Sequence, residues 1–168
     1  MRPVHILIAL LALAAGAMPA AGDSGAALPV IGGVEEAVLL PWGLRVRSRI
    51  DTGAAVSSMD ARSIRVRTVK AKKIVRFVLA CDGAQQTAVE LPLVGYRRVG
   101  TADGGFEKRP LVELEVCVAG QRVRAEFTLN DRSRMEYRML VGRNILAGRF
   151  LVDVTAQHTA APACPASH

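Results

Sequence analysis

The chain has 168 residues, with 22 Lys+Arg against 15 Asp+Glu and a formal net charge of +7. That length supports one well-cored domain rather than two. The charge favours an anionic partner: nucleic acid, lipid head groups or an acidic substrate.

The start of the chain narrows these classes. Arg2 is followed by an uninterrupted apolar run from Ile6 to Ala17 and by the small residues of 18–22. This is the layout of a secretory signal peptide, and the run is shorter than the roughly 20 residues a membrane-spanning helix needs. Residues 1–22 are therefore expected to be cleaved, leaving a periplasmic protein that does not meet nucleic acid. Residues 23–29 read as a flexible linker. Three cysteines in an exported chain allow at most one disulfide. Cys81 and Cys117 are the candidates, although alternation puts Cys81 on an apolar face and Cys117 beside Glu113 and Glu115 on the polar one. Cys164 falls in a tail, 156–168, whose Ala and Pro content predicts disorder.

From Val30 onward the apolar residues recur with period two, and turn residues follow at short intervals, which predicts an all-β barrel or sandwich. Pro41-Trp42-Gly43 makes a turn. Leu44, Val46, Ser48 and Ile50 then face one way, and Arg45, Arg47, Arg49 and Asp51 the other. Further strands are expected over 64–69, 74–81 and 87–94, with a basic turn from Lys70 to Lys73. Gly95 to Pro110 is polar, and Asp103-Gly104-Gly105 near its middle marks a projecting hairpin. Leu111 to Val118 and Gln121 to Leu129 form a meander about Ala119-Gly120. Asn130 to Tyr137 reads as a polar connection. Met139 to Gly142 is a short buried strand running into one or two helical turns over 143–147, ended at Gly148, and 150–154 closes the domain, 30–155.

Chemistry concentrates at Asp51-Thr52-Gly53-Ala54. Here a strand delivers one carboxylate into a tight turn whose N–H groups can fix its orientation, while Gly53 lets the main chain approach a ligand. Ser57 follows six residues after the aspartate. About ninety residues on, Leu140-Val141 leads into Gly142-Arg143-Asn144, with the glycine-tipped hairpin between the two motifs. In this order the motifs resemble the retropepsin-like aspartic proteases. They are most similar to a bacterial group whose members are named ATP-dependent zinc proteases and share Arg109-Pro110 after the flap and the Arg149 to Asp153 ending.

The resemblance implies a closed acid-protease barrel with a flap hairpin (Asp103, Gly104, Gly105) and one short helix. It makes Asp51 catalytic, Thr52, Gly53, Ala54 and Ser57 the supports of its turn, and Gly142, Arg143 and Asn144 a structural partner loop. Ala55 stands where retroviral relatives place an acid that pairs with the arginine of Gly-Arg-Asn, so Arg143 must bond elsewhere. Zinc hydrolysis needs three protein ligands and an open position, yet no histidine lies between His5 and His158. No glycine-rich phosphate loop with Lys-Ser/Thr is present either. The expected cofactor set is therefore empty, with no metal.

Hydrolysis by this route uses two carboxylates sharing one proton, and the chain supplies one such turn. The expected active form is a homodimer with an Asp51/Asp51' dyad acting on a peptide or protein substrate. The alternative is a non-catalytic module of the cell envelope in which the same groove holds a peptide or a partner protein.

Overall fold

A computed structural model describes residues 27–82, 86–101, 104–162 and 164. The expected signal peptide and Asp103 lie outside the described residues. The strands are β1 (Val30–Gly32), β2 (Val34–Leu40), β3 (Leu44–Ile50), β4 (Ser57–Val69), β5 (Lys72–Ala80), β6 (Gln86–Pro92), β7 (Gly95–Gly100), β8 (Phe106–Val118), β9 (Gln121–Asn130), β10 (Met139–Val141) and β11 (Leu151–Asp153), with one helix, α1 (Arg143–Leu146).

Six strands close on themselves in the order β10-β3-β2-β8-β9-β4, because β10 pairs with β3 on one side and β4 on the other. Closure removes the free edges of these strands. Alternation sets which side chains enter the barrel: β3 buries Leu44, Val46, Ser48 and Ile50 and exposes its three arginines, as its sequence predicts. Phe127, Met59, Met139, Leu114 and Ile145 fill the interior and are fully or almost fully buried.

Two extensions leave the barrel. β4 continues past it to pair with β5, and β6 adds to β5 as an edge. The first half of β8 pairs with β7 to make the projecting hairpin, whose tip turns at Gly104 with φ +82°. That angle lies in the left-handed region, which glycine adopts without the strain a side chain would bring.

The tail is where expectation and structure part. Residues 156–162 do not hang free but run along the start of β2. The Gly33 N–H donates to the Ala156 carbonyl at 2.8 Å and the His158 N–H to the Val34 carbonyl at 2.8 Å. The approach is close enough that a Cβ on Gly32 would sit 2.5 Å from the Ala156 oxygen. The Thr159 hydroxyl and N–H donate to Glu35 Oε1 at 2.6 and 3.1 Å, and the Gly32 N–H donates to the same oxygen at 2.6 Å. Burial pushes the fully buried Glu35 carboxyl up, but these donors and the Ala160 N–H together hold it below the usual carboxylate range.

The disulfide joins Cys117 to Cys164. Cys81, the partner expected from sequence, is free and buried, and burial, with Asp82 and then Asp60 nearby, raises its thiol to about 11. Alternation did place Cys117 on the outer side of β8. It is buried there because the tail lies over it.

Candidate active site

Asp51 leaves β3 at the mouth of the barrel. Its N–H donates to the Val141 carbonyl at 2.9 Å, which ties the turn to β10. Its Oδ1 accepts from the N–H groups of Gly53 at 2.9 Å and Ala54 at 3.1 Å. The turn thus fixes one carboxylate oxygen, and no bond to Oδ2 is found among the described residues. The carboxylate is half-buried and lines a cavity of about 400 Å³ with Arg49, Thr52, Arg132, Glu136, Tyr137 and Val154 among its walls.

The two sequence motifs meet behind this turn. The Ser57 N–H and hydroxyl both donate to Asn144 Oδ1, at 3.0 and 2.8 Å, and the Ser57 oxygen accepts from the Gly142 N–H at 3.0 Å. Asn144 Nδ2 donates to the Glu126 carbonyl at 2.8 Å, so one amide joins β4, α1 and β9. Arg143 finds the partner that Ala55 does not offer. Its guanidinium donates to the carbonyls of Thr52 at 2.9 Å and Gly53 at 2.7 Å, and its N–H donates to that of Ala54 at 2.9 Å. These bonds hold the turn from its carbonyl side, opposite the N–H groups that face Asp51.

Gly142 is required by this contact. A Cβ there would sit 2.9 Å from the Ala54 oxygen and the Val56 carbonyl carbon, both backbone atoms that cannot swing aside. Gly142→Ala is expected to destabilise the protein by about 2–3 kcal/mol, as overpacking does, and to lower hydrolysis by displacing the Asp51 turn. Chemical denaturation and a peptide-cleavage assay on one preparation check both effects.

Gly104 and Gly105 are exposed at the tip of the β7–β8 hairpin. The arms of that hairpin reach the site: Arg97, Arg98, Val99, Gly100 and Arg109 line a second cavity of about 330 Å³ with Ala54, Val56 and Ser58. Arg132 lines both cavities. Sequence reasoning missed it inside the polar connection 130–137. It is nearly fully buried, as is Arg109. Burial and then the charge of Arg109 lower its proton affinity, while Asp60 and Asp51 oppose that shift. Asp60 anchors this wall, because its buried carboxylate accepts from the Arg132 N–H at 2.7 Å and from Arg138 at 2.8 Å. The signal that could have found Arg132 is the run of arginines between two buried strands, which a solvated loop does not need.

Among the described residues no three His, Cys, Asp or Glu side chains converge. The donor set around Asp51 therefore does not fit a zinc ion.

Comparison with known proteins agrees with this geometry. A crystal structure of Lpg0085, a protein of unknown function (DUF785) from Legionella pneumophila subsp. pneumophila str. Philadelphia 1, is similar at a TM-score of 0.66 and 26% identity, covering 78% of this chain and 97% of that one. A probable alpha-L-glutamate ligase of Parasynechococcus marenigrum (strain WH8102) is 33% identical over 134 residues, which are 77% of this chain and 29% of that protein. One from Shewanella halifaxensis (strain HAW-EB4) is 30% identical over 111 residues, 64% of this chain and 24% of its own length. The chain thus spans less than a third of these curated relatives. The model of the RimB-like family, described as retropepsin-like aspartic endopeptidase RimB, matches residues 30–163, and the chain belongs to that family.

Proposed function

We propose that the protein is an exported aspartic endopeptidase in which Asp51 and its counterpart in a second copy share one proton and activate water. The observation that carries this reading is the Asp51 turn itself. One oxygen is fixed by two N–H groups, the residue lines a cavity, and the whole turn is held by Ser57, Arg143 and Asn144. A carboxylate so held can pair with a like group across a two-fold axis, one ionised as base and one protonated as acid.

A surface for the second copy lies beside the site. β1 and β11 pair in parallel as a separate two-stranded sheet, and Val30, Leu151 and Val154 on and after it are 53%, 54% and 81% exposed. Val154 also lines the Asp51 cavity. An apolar surface continuous with half of a site fits a second copy that completes the site. Export is supported by the leader-like residues 1–22 and by the Cys117–Cys164 disulfide, which persists in an oxidising compartment.

Arg97, Arg98, Arg109 and Arg132 around the second cavity suit a substrate with carboxylate side chains. The glutamate ligases among the relatives agree with an acidic peptide.

The test is sedimentation together with cleavage of glutamate-rich peptides. The wild type is expected to be a dimer that cleaves, and Leu151→Asp a folded monomer that does not. A monomer that cleaves would overturn the shared dyad. A dimer that binds such peptides without cleaving them would leave the binding module as the reading.

A further inference from the structure

The excess positive charge of this chain is concentrated in one place, and it is not the catalytic cavity. Residues 61–81 hold seven of the 22 basic side chains (Arg62, Arg65, Arg67, Lys70, Lys72, Lys73 and Arg76) and no acidic one. Without those seven, the rest of the chain is balanced at fifteen basic against fifteen acidic.

The fold gathers six of them on the wing formed by the outer half of β4 with β5 and β6, while Arg62 stays at the barrel beside Asp60, at 3.8 Å. Register places Arg65 opposite Arg76 and Val69 opposite Lys72, so their side chains share one face, which Arg67 joins by alternation along β4. The opposite face carries the buried Val75 and Phe77. Lys70 and Ala71 form the tip, both with positive φ, and Lys72 and Lys73 follow immediately. Glu90 is the one acidic side chain among the described residues of the wing beyond Ser63, and Arg67 and Arg76 already share it, at 2.7 and 3.8 Å. No acidic partner of Lys70, Lys72 or Lys73 is found among the described residues. Like charges so close repel one another in the free protein, so the arrangement is relieved by an anionic partner.

We infer that the tip of this wing docks the protein onto a lipid bilayer carrying acidic head groups. Two observations favour a bilayer over other polyanions. Val69 is exposed at the outer end, next to Lys70 and opposite Lys72, and Val66 is exposed on the other face of the strand; lysine stems can lie along an acyl boundary while their ammonium groups stay at head-group level. The charged face also carries no aromatic side chain on which unpaired bases could stack; Phe77 points into the core. β4 runs 13 residues from Ser57, beside the Asp51 turn, to Val69 and bends at a bulge between Arg62 and Arg65, so at about 3.3 Å per residue its outer end stands at most about 40 Å from the site. Docking by the tip would hold the catalytic mouth above the membrane without covering it.

The inference is independent of catalysis and is tested by binding alone. Purified protein with its disulfide intact is sedimented with vesicles of phosphatidylcholine, with or without phosphatidylglycerol, and separately titrated with a DNA duplex. Binding is expected only to vesicles containing phosphatidylglycerol, and to weaken as salt rises. Lys70→Glu/Lys72→Glu/Lys73→Glu should lower vesicle affinity by well over about a hundredfold, since loss of each cation near an anionic surface costs about fivefold and reversal adds repulsion. The neutral Lys→Gln triple variant should fall between it and the wild type, and Val69→Ser should also weaken binding. Thermal melting shows that each variant is folded. Equal binding to phosphatidylcholine alone, full retention by either folded triple variant, or tighter binding to the duplex than to vesicles would overturn the inference.

Discussion

Asp51→Asn is expected to reduce peptide hydrolysis by at least about a thousandfold in kcat, the scale of losing a positioned acid–base group, while the thermal midpoint stays within a few degrees. The two expectations follow from different oxygens of the same side chain. An asparagine Oδ1 can still accept from the Gly53 and Ala54 N–H groups that Asp51 Oδ1 now satisfies, so the turn keeps its shape. What is lost is the charge of a carboxylate that lines the cavity, and with it the ability to take a proton from water. The measurements are steady-state cleavage of an acidic peptide and a melting curve on the same sample. Activity that survives the substitution would rule out Asp51 as the base. Activity lost together with the fold would mean that the turn needs the negative charge, and the same assay on Asp51→Glu, which keeps the charge but shifts it, would then separate the two roles.

The second large effect is structural. Replacing both Cys117 and Cys164 by alanine is expected to cost about 3–4 kcal/mol, because the bridge closes a loop across 47 positions of sequence and restricts the unfolded chain accordingly. For a domain of this size each kcal/mol moves the midpoint by about 2–4 °C, so a fall of about 10 °C is expected. The loss has a second part. Once the end of the tail is released, Thr159 no longer has to stay on Glu35, and a buried carboxylate without its donors is costly. Thr159→Ala in the oxidised protein isolates that part and should cost about 1 kcal/mol. A double cysteine variant that melts with the wild type would show that the bridge does not restrain the tail.

The barrel was legible in the sequence because its strands alternate cleanly. The Leu44–Ile50 strand, the 111–129 meander and the glycine-tipped hairpin each follow from period two and turn chemistry, and the motif order around Asp51 and Gly142 indicated which barrel they build. Ser57 and Asn144 are 87 residues apart, and their hydrogen bond could be foreseen only through the resemblance. The inner half of β4, from Ser57 to Arg62, carries no clean alternation because it is buried on both sides at the barrel seam. That mixed burial hides a strand from periodicity. Arg132 was illegible as a cavity wall because its anchor, Asp60, lies 72 residues away on β4, and Arg109 because its carboxylate partner, Glu107 on its own strand, gives no hint that the arginine is buried.

The tail was misread for a related reason. Its alanines and prolines make no pattern of their own, and its order comes from a cysteine on β8, a glutamate on β2 and a glycine without a Cβ at position 32.

That arrangement also imposes a sequence of events on the emerging chain. β2 is synthesised early, yet the donors that satisfy Glu35 include Thr159, 124 residues later, and β1 waits for β11. Nothing synthesised in between can finish that side of the barrel. A nascent chain stopped short of Thr159 therefore lacks those donors for Glu35 and leaves the Cys117 thiol without its partner.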